Sequence, residues 1–395
     1  MTELTEVGRL KDMRENGLDG SSAYRWHSRA TLPRTFLSGD ATQPRPLQDS
    51  KNGLPRDMVP PASRQFIPSE VAKPPFDRTM RWANGCRPLG QSDLNLPQLA
   101  IGTPRKLPKA NSLEGRVVVL DVAFAGAQAG GFDKVTLPFI RNLGDRLRAW
   151  VDHHDHDQHE RFKNDPRFVL ATKAEHGACP EMIDVALVER IGPIDTVCCH
   201  NDFDGLASAA KWIRGGVEPY PGCDADARAI DTRLGEPSAQ ARTIDRALRG
   251  RPRDFALYEF VVRALVSGLS DRILWEHIES AAKELEPIEA ETQLVSQKYV
   301  PLSDTVVGID VTGHERALDK TLLLLLGQEK STISLVVDRD TVSIAARFDS
   351  GINFLQLFGA SGGMPTRISM PRSRMTQILE ALGCPKTAAA LLDPV

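Results

Sequence analysis

Four short apolar runs, each ending at polar or charged residues, organise the middle of the chain: 116–121, 148–152, 167–171 and 195–200. Continuous apolar runs of this length, rich in valine, suit strands of a parallel sheet that is covered on both faces. Between them, 138–147, 180–189 and 206–214 carry apolar residues at helical spacing, with Ile183, Leu187 and Val188 marking one face. Strands alternating with helices predict an α/β layer with a mostly parallel sheet. A long helical region follows over 254–286, with Phe260, Ala264, Ser267, Ile273 and Ile278 on apolar or small faces, and Pro287 interrupts it. From 301 a second, smaller α/β unit is expected: strand 305–311, helix 315–326, and strands 332–337 and 341–348. Asp338-Arg339-Asp340 reads as a tight hairpin, Thr312 with Glu315 as a capping box, and 373–382 as a closing helix.

The first 110 residues lack such periods. They hold 13 of the 27 prolines, including Pro60-Pro61 and Pro74-Pro75, which favour extended backbone. The expected organisation is an irregular extension over 1–112, a catalytic layer over 113–253, a helical linker over 254–300 and the smaller unit over 301–395. Short elements near 24–26 and 80–82 would dock on the main body. The longest aliphatic run, 322–326, is far short of the roughly 20 residues that cross a bilayer, so no membrane partner is expected. Residues 1–19 have no apolar stretch behind a basic flank, unlike a secretory leader. A formal net charge of -3 over 395 residues excludes a globally basic nucleic-acid coat. Six cysteines without a CxxC pair fit a reducing cytoplasm rather than a disulfide scaffold.

Chemistry gathers at the ends of the strands. Asp121 closes the first run, Asp152-His153-His154 the second, and His200-Asn201-Asp202-Phe203-Asp204-Gly205 follows the fourth. Six of the nine histidines fall between 153 and 200. In open α/β sheets, ligands bind outside the carboxyl ends of the strands, so three such loops can share one site. Histidine with carboxylate, without thiolate, suits Mn²⁺ or a similar divalent ion. Singly, each cluster has an ordinary explanation as a strand end, a solvated loop or a turn. A calcium loop starting at His200 fails, because its first residue is histidine and its twelfth is Lys211. Three clusters after three apolar strands are harder to assign to surface decoration.

These residues resemble the DHH phosphoesterase superfamily. Val151-Asp152-His153-His154 is similar to its signature, and His200-Asn201-Asp202-Phe203-Asp204-Gly205-Leu206-Ala207-Ser208-Ala209 to its HxDxDGxxSA loop. Val118-Val119-Leu120-Asp121 resembles its lone-aspartate strand, 168–182 loosely the segment after the double histidine, and 342–371 the DHH-associated substrate-binding domain. The resemblance spans roughly 113–395 and implies a mostly parallel-sheet DHH-type domain with a smaller α/β domain after it. Two ions are implied, Mn²⁺ or else Mg²⁺ or Co²⁺. His200 and Asp202 would hold one, and His153 and Asp204 the other, with Asp231 as a further ligand. Asp121 would bridge them. Asp152 would orient the histidines, and His154 would touch the phosphate or assist proton transfer.

Two departures stand out. The HxDxDG loop usually comes first but here comes last, so the motif order looks circularly permuted. The family's GGGH-like run reads Phe358-Gly359-Ala360-Ser361-Gly362-Gly363-Met364, with methionine in the histidine's place. Gly362, Gly363, Arg347 and Arg367 are the candidate substrate-binding residues. The expected activity is two-metal hydrolysis of a small phosphodiester or nucleotide, such as a short oligonucleotide, cyclic dinucleotide or 3′-phosphonucleotide. A phosphoanhydride hydrolase and a non-catalytic nucleotide-binding module are the alternatives. A homodimer is compatible with the sequence.

Overall fold

In the computed structural model, which describes residues 79–80 and 96–392, the apolar runs pair into a six-stranded sheet. All of the described residues belong to one compact unit. The strands are β1 (Thr79–Met80), β2 (Gln98–Ile101), β3 (Val117–Leu120), β4 (Leu147–Asp152), β6 (Phe168–Leu170) and β7 (Thr196–Cys199). A short β5 (Asp155–His156) follows β4 outside this sheet. The spatial order is β1-β2-β7-β3-β4-β6. β1 runs antiparallel to β2, and the other five strands are mutually parallel. From β3 the chain moves outward to β4 and β6, then returns to place β7 on the other side of β3. Such a reversal of strand order opens a crevice at the carboxyl ends of the two strands between which it falls.

Both faces of the sheet are covered, which is why its strands are apolar without alternation. On one face Val118, Leu120, Val151 and Cys199 pack against α2 (Val185–Ile191), α3 (Phe203–Ile213), α4 (Cys223–Thr232), α5 (Ala239–Gly250), α6 (Phe255–Val266) and α7 (Arg272–Lys283). On the other face Val117, Val119, Trp150 and Cys198 meet α1 (Thr136–Leu143) and the Phe124 and Phe132 rings. Adjacent Cys198 and Cys199 thus enter opposite cores, as small buried hydrophobes.

The second sheet has the order β13-β11-β10-β9-β8, with β8 (Val300–Pro301), β9 (Val306–Asp310), β10 (Ile333–Asp338), β11 (Thr341–Ala346) and β13 (Arg367–Pro371). α8 (Glu286–Ser296) and α9 (Lys320–Gln328) pack on one face, and α11 (Met375–Ala381) on the other. The expected hairpin is present, turning through Arg339 at φ +53°. Between α10 (Phe354–Phe358) and β13, β12 (Gly362–Gly363) pairs antiparallel with β5. This tie carries the C-terminal glycine loop to the loop that follows the double histidine.

Three expectations are corrected. The layer does not begin at 113: β2 lies within the sheet, with Leu99, Ala100 and Ile101 buried beside β7. The region 254–300 is not simply a linker, because α6 and α7 belong to the core of the larger layer. The capping box at Thr312 does not form. α9 starts later, at Lys320, where Asp319 accepts from the N–H groups of Thr321 and Leu322. The element expected near 24–26 lies outside the described residues, as do most of 1–95.

The place of β2 generates a test. Burying a leucine or isoleucine contributes roughly 1.5–3 kcal/mol. A chain lacking residues 1–110 should therefore unfold at least several degrees below one lacking 1–95, as measured by thermal denaturation. Equal midpoints would show that β2 adds nothing to the sheet.

Candidate metal centre

The carboxyl ends of the parallel strands deliver the polar residues in spatial order. β7 leads to His200, β3 to Asp121, β4 to Asp152, His153 and His154, and β6 to Lys173. Asp121 is central because β3 lies between β7 and β4. It adopts φ +56°, a conformation uncommon outside glycine but tolerated best by Asp and Asn. Its backbone N–H still donates to Val151 O at 2.9 Å, so the ladder with β4 continues while the side chain turns to the strand ends.

Asp202 and Asp204 are set by the start of α3. Asp202 is the N-cap, with Oδ1 accepting from Gly205 N–H at 3.1 Å. Its other oxygen lies 2.7 Å from His200 Nδ1. A Cβ on Gly205 would come within 2.5 Å of His200 O, so only glycine lets the helix begin this close to the strand end. Asp204, one residue into the helix, is buried and accepts from Cys179 N–H at 3.0 Å. The run of small residues after it fits a helix buried along most of its length. Asn201 donates to Tyr258 OH at 3.0 Å, anchoring the loop on α6.

His153 is fully buried, and its Nδ1 donates to His176 O at 2.9 Å. Nε2 then faces Asp204 at 3.1 Å and Asp121 at 3.2 Å. Fixing one ring nitrogen on a carbonyl presents the other as a ligand. His154 Nδ1 lies 2.8 Å from Asp152 Oδ1. Burial, followed by the nearby Lys173 charge, lowers the His154 pKa and keeps the ring neutral. Burial alone would raise Asp152, but His154 and then His153 outweigh it and hold the acid at about 2.

Three groups of potential ligand atoms result: Asp121 with His200 and Asp202, Asp121 with His153 and His154, and His153 with Asp204 and Asp231. Within each group the atoms lie within 4.8 Å of one another. All six residues expected to hold metal therefore meet at one place, with Asp121 and His153 shared. Asp231 arrives from α4, which the sequence reading did not predict. Asp121 Oδ1, Asp152 Oδ2 and His200 Nδ1 are buried without an aligned hydrogen bond. Burial, reinforced by Asp204 and Asp202, pushes Asp121 well above the usual carboxylate range. Asp204 is raised to about 6, chiefly by burial. Carboxyl groups that hold protons when no cation is present, beside polar atoms without partners, have the chemistry of a cation site. For the group around His200, the residues fit a divalent ion with oxygen and nitrogen ligands.

Lys173 was missed by the sequence reading. It is buried, with Nζ 2.8 Å from His153 Nε2 and in contact with Asp231 Oδ2. Burial opposes its charge, but Asp231, Asp204 and Asp121 outweigh that and keep it protonated. The available signal was its place: it follows β6 at the same sheet edge as the other clusters.

A cleft of about 470 Å³ opens beside His200, bordered by Arg105, Phe124, Gly362, Gly363 and Arg367. A Cβ on Gly362 would meet His156 at 2.3 Å, so the β5–β12 pairing requires glycine there. The Arg367 guanidinium reaches solvent yet has protein on several sides. That surrounding mass, then the charge of Arg233, lowers its pKa, while Asp319 and Asp231 oppose the shift. Arg347 is not brought to the cleft: it is exposed and paired with Asp349 at 2.8 Å. Another recess of about 480 Å³, near the amino ends of β4 and β6, holds none of these groups.

The fold and cluster are those of an α/β protein with a histidine–carboxylate cluster at a strand-order reversal. Among solved structures the chain is similar to a pGpG-specific phosphodiesterase, PggH from Vibrio cholerae, at 13% identity and TM-score 0.33, over 70% of this chain and 99% of that one. It is similar to exonuclease RecJ bound to manganese at 13% identity and TM-score 0.35, over 70% of this chain and 75% of that one. An uncharacterized protein from Helicobacter pylori G27 matches at 14% identity and TM-score 0.23, over 68% of this chain and 84% of that one. Likenesses this loose decide nothing about activity. No family model matches the sequence, and no curated protein does.

The raised carboxyls predict a pH effect on the metal-free protein. Below pH about 3.8 these groups are protonated in both states. As pH rises from there toward about 6, the unfolded chain ionises freely while folded Asp204 and Asp121 resist, so stability falls. Asp121→Asn removes part of that penalty and tolerates the positive φ. It should raise the Tm of the metal-free protein at pH 7.5 and abolish any rise caused by Mn²⁺. A lower metal-free Tm for this variant would contradict the electrostatic reading.

Proposed function

We propose that this chain is a divalent-metal-dependent phosphoric ester hydrolase acting on a small phosphodiester or nucleotide. The observation that carries the reading is the convergence of the three ligand groups at the sheet edge beside a cleft of ligand size. Asp121, His200 and Asp202 would hold an ion. When bound, it supplies Lewis acidity toward water and phosphoryl oxygen. Mn²⁺ is preferred on ligand type, with Mg²⁺ and Co²⁺ as other candidates.

The chain's own residues do the rest. His154 is neutral and has Nδ1 committed to Asp152, so Nε2 is the ring nitrogen left to accept or return a proton. Arg367 and Arg105 border the cleft and would draw in an anion. Gly362 and Gly363 give that wall no side chains, so phosphate can approach the backbone. A cleft of about 470 Å³ suits a nucleotide or short oligonucleotide. The small net negative charge does not favour a nonspecific grip on long duplexes.

Binding without hydrolysis is the second reading, and it has one observation on its side: an ammonium stands inside the third ligand group. A turnover screen with Mn²⁺ separates the two. Its substrates would be linear dinucleotides, cyclic dinucleotides, 3′-phosphonucleotides and pyrophosphate. Product from an ester supports the proposal, product from pyrophosphate alone favours a phosphoanhydride hydrolase, and stabilisation by a nucleotide without product favours the binding module.

Two sets of variants should sort the residues. Asp204→Ala and His153→Ala should each lower Mn²⁺-stimulated turnover by at least about a hundredfold, with far-UV circular dichroism unchanged. Near wild-type turnover in either would remove that residue from the centre. Arg367→Ala should raise KM about tenfold or more, whereas Arg347→Ala should leave both kcat and KM near wild type. The reverse pattern would misplace the substrate.

A further inference from the structure

The third ligand group, His153 with Asp204 and Asp231, is already occupied by a side chain of the protein. A ring nitrogen offers one in-plane lone pair. Nδ1 of His153 is used as a donor to His176 O, which leaves Nε2 as the ring nitrogen that faces the acids. Lys173 Nζ lies 2.8 Å from Nε2 and contacts Asp231 Oδ2. Nε2 also lies 3.1 Å from Asp204 Oδ2 and 3.9 Å from Asp231 Oδ2. A divalent ion bonded to Nε2 would sit about 2.1 Å from it. An ion held by Nε2 and Asp231 together would compete for space with the ammonium that contacts both. The residues of this group therefore do not fit a second ion while Lys173 holds its place.

The surroundings keep Lys173 there. Its side chain is 1% exposed, so leaving would bring an unpaired charge through packed protein. Its backbone N–H donates to Asp155 Oδ2 at 3.3 Å, and Asp155 belongs to the strand paired with Gly363. The group formed by Asp121, His200 and Asp202 contains no such ammonium. His200 Nδ1 and Asp121 Oδ1 remain buried without an aligned hydrogen bond.

We infer that the Lys173 ammonium fills the second cation position permanently, so that the chain binds one divalent ion, at Asp121, His200 and Asp202. The inference rests on the metal-centre reading but departs from the pair of ions that the motif resemblance implies. It makes part of the site's positive charge independent of metal supply. Lys173 is then a positioning residue: it holds His153, Asp204 and Asp231 together in place of a metal.

Binding of Mn²⁺ alone tests this without reference to turnover. The full chain, stripped with chelator, is dialysed against excess Mn²⁺ and analysed for bound metal and by electron paramagnetic resonance. One ion per chain with an isolated six-line spectrum is expected. Two ions per chain with an exchange-coupled spectrum would overturn this inference but leave the metal centre standing. No bound ion would overturn the metal-centre reading itself. Lys173→Met, if its circular dichroism matches wild type, should double the stoichiometry to two and produce the coupled spectrum, whereas Lys173→Arg should stay at one. A folded methionine variant that still binds one ion would also overturn the assignment. If that variant does not fold, the wild-type stoichiometry and spectrum decide alone.

Discussion

Negative charge buried at the carboxyl edge of a parallel sheet is the constraint on which the centre depends. Asp121, Asp152 and Asp204 are each nearly inaccessible to water, and Asp231 is only partly exposed. Carboxylates in such a place must be protonated, paired or ligated to a cation. The protein uses pairing for Asp152, through His154, and for Asp231, through Lys173. Asp121 is left with a positive φ, a buried oxygen without an aligned partner and a raised pKa. Of the described carboxylates in the cluster, it is the one whose environment is least resolved by the protein alone.

The rest of the architecture keeps those groups from relaxing apart. Asp202 caps α3, Asp204 is held by the Cys179 amide, and Gly205 lets the helix start against the His200 carbonyl. Moving either acid would therefore disturb a helix whose residues are mostly buried. The β5–β12 pairing adds a second constraint, because Gly362 fits against His156 with no room for a side chain. The glycines of the cleft wall and the loop after the double histidine thus share one short piece of sheet, which ties the cleft wall to the cluster.

Much of this was legible in the sequence, for a definite reason. Strands buried on both faces leave unbroken apolar runs, and a polar residue marks where each run leaves the core. Four of the parallel strands, and Asp121, His153, His200, Asp202 and Asp204 with them, could be placed from that signal. β2 was not, because Gln98-Leu99-Ala100-Ile101 is short and follows a proline-rich stretch that masks it. α6 and α7 read as a linker because helical period shows which face is apolar but not what it packs against. Arg347 was a candidate as an arginine of the smaller unit that could steady the substrate, yet Asp349 two residues on offers a closer partner than the cleft. Lys173 escaped because a lone lysine in a loop normally marks solvent. Its burial is a consequence of tertiary packing against α4.

The reversed order of motifs along the chain has a simple physical account. A metal or phosphate responds to which groups stand beside which, and that is set by strand order across the sheet. Here the order runs His200, Asp121, His153, Lys173, although along the chain Asp121 comes first and His200 last. Placing β7 next to β3 restores the neighbourhood that the chain order would seem to break. The same logic separates the two ends of the series. At the β7 end an imidazole and two carboxylates meet with no lysine or arginine among them, whereas at the β6 end the strand itself delivers an ammonium. The asymmetry follows from the last residue each strand contributes, so a single substitution at the β6 end could change how many cations the centre needs without altering the fold that assembles it.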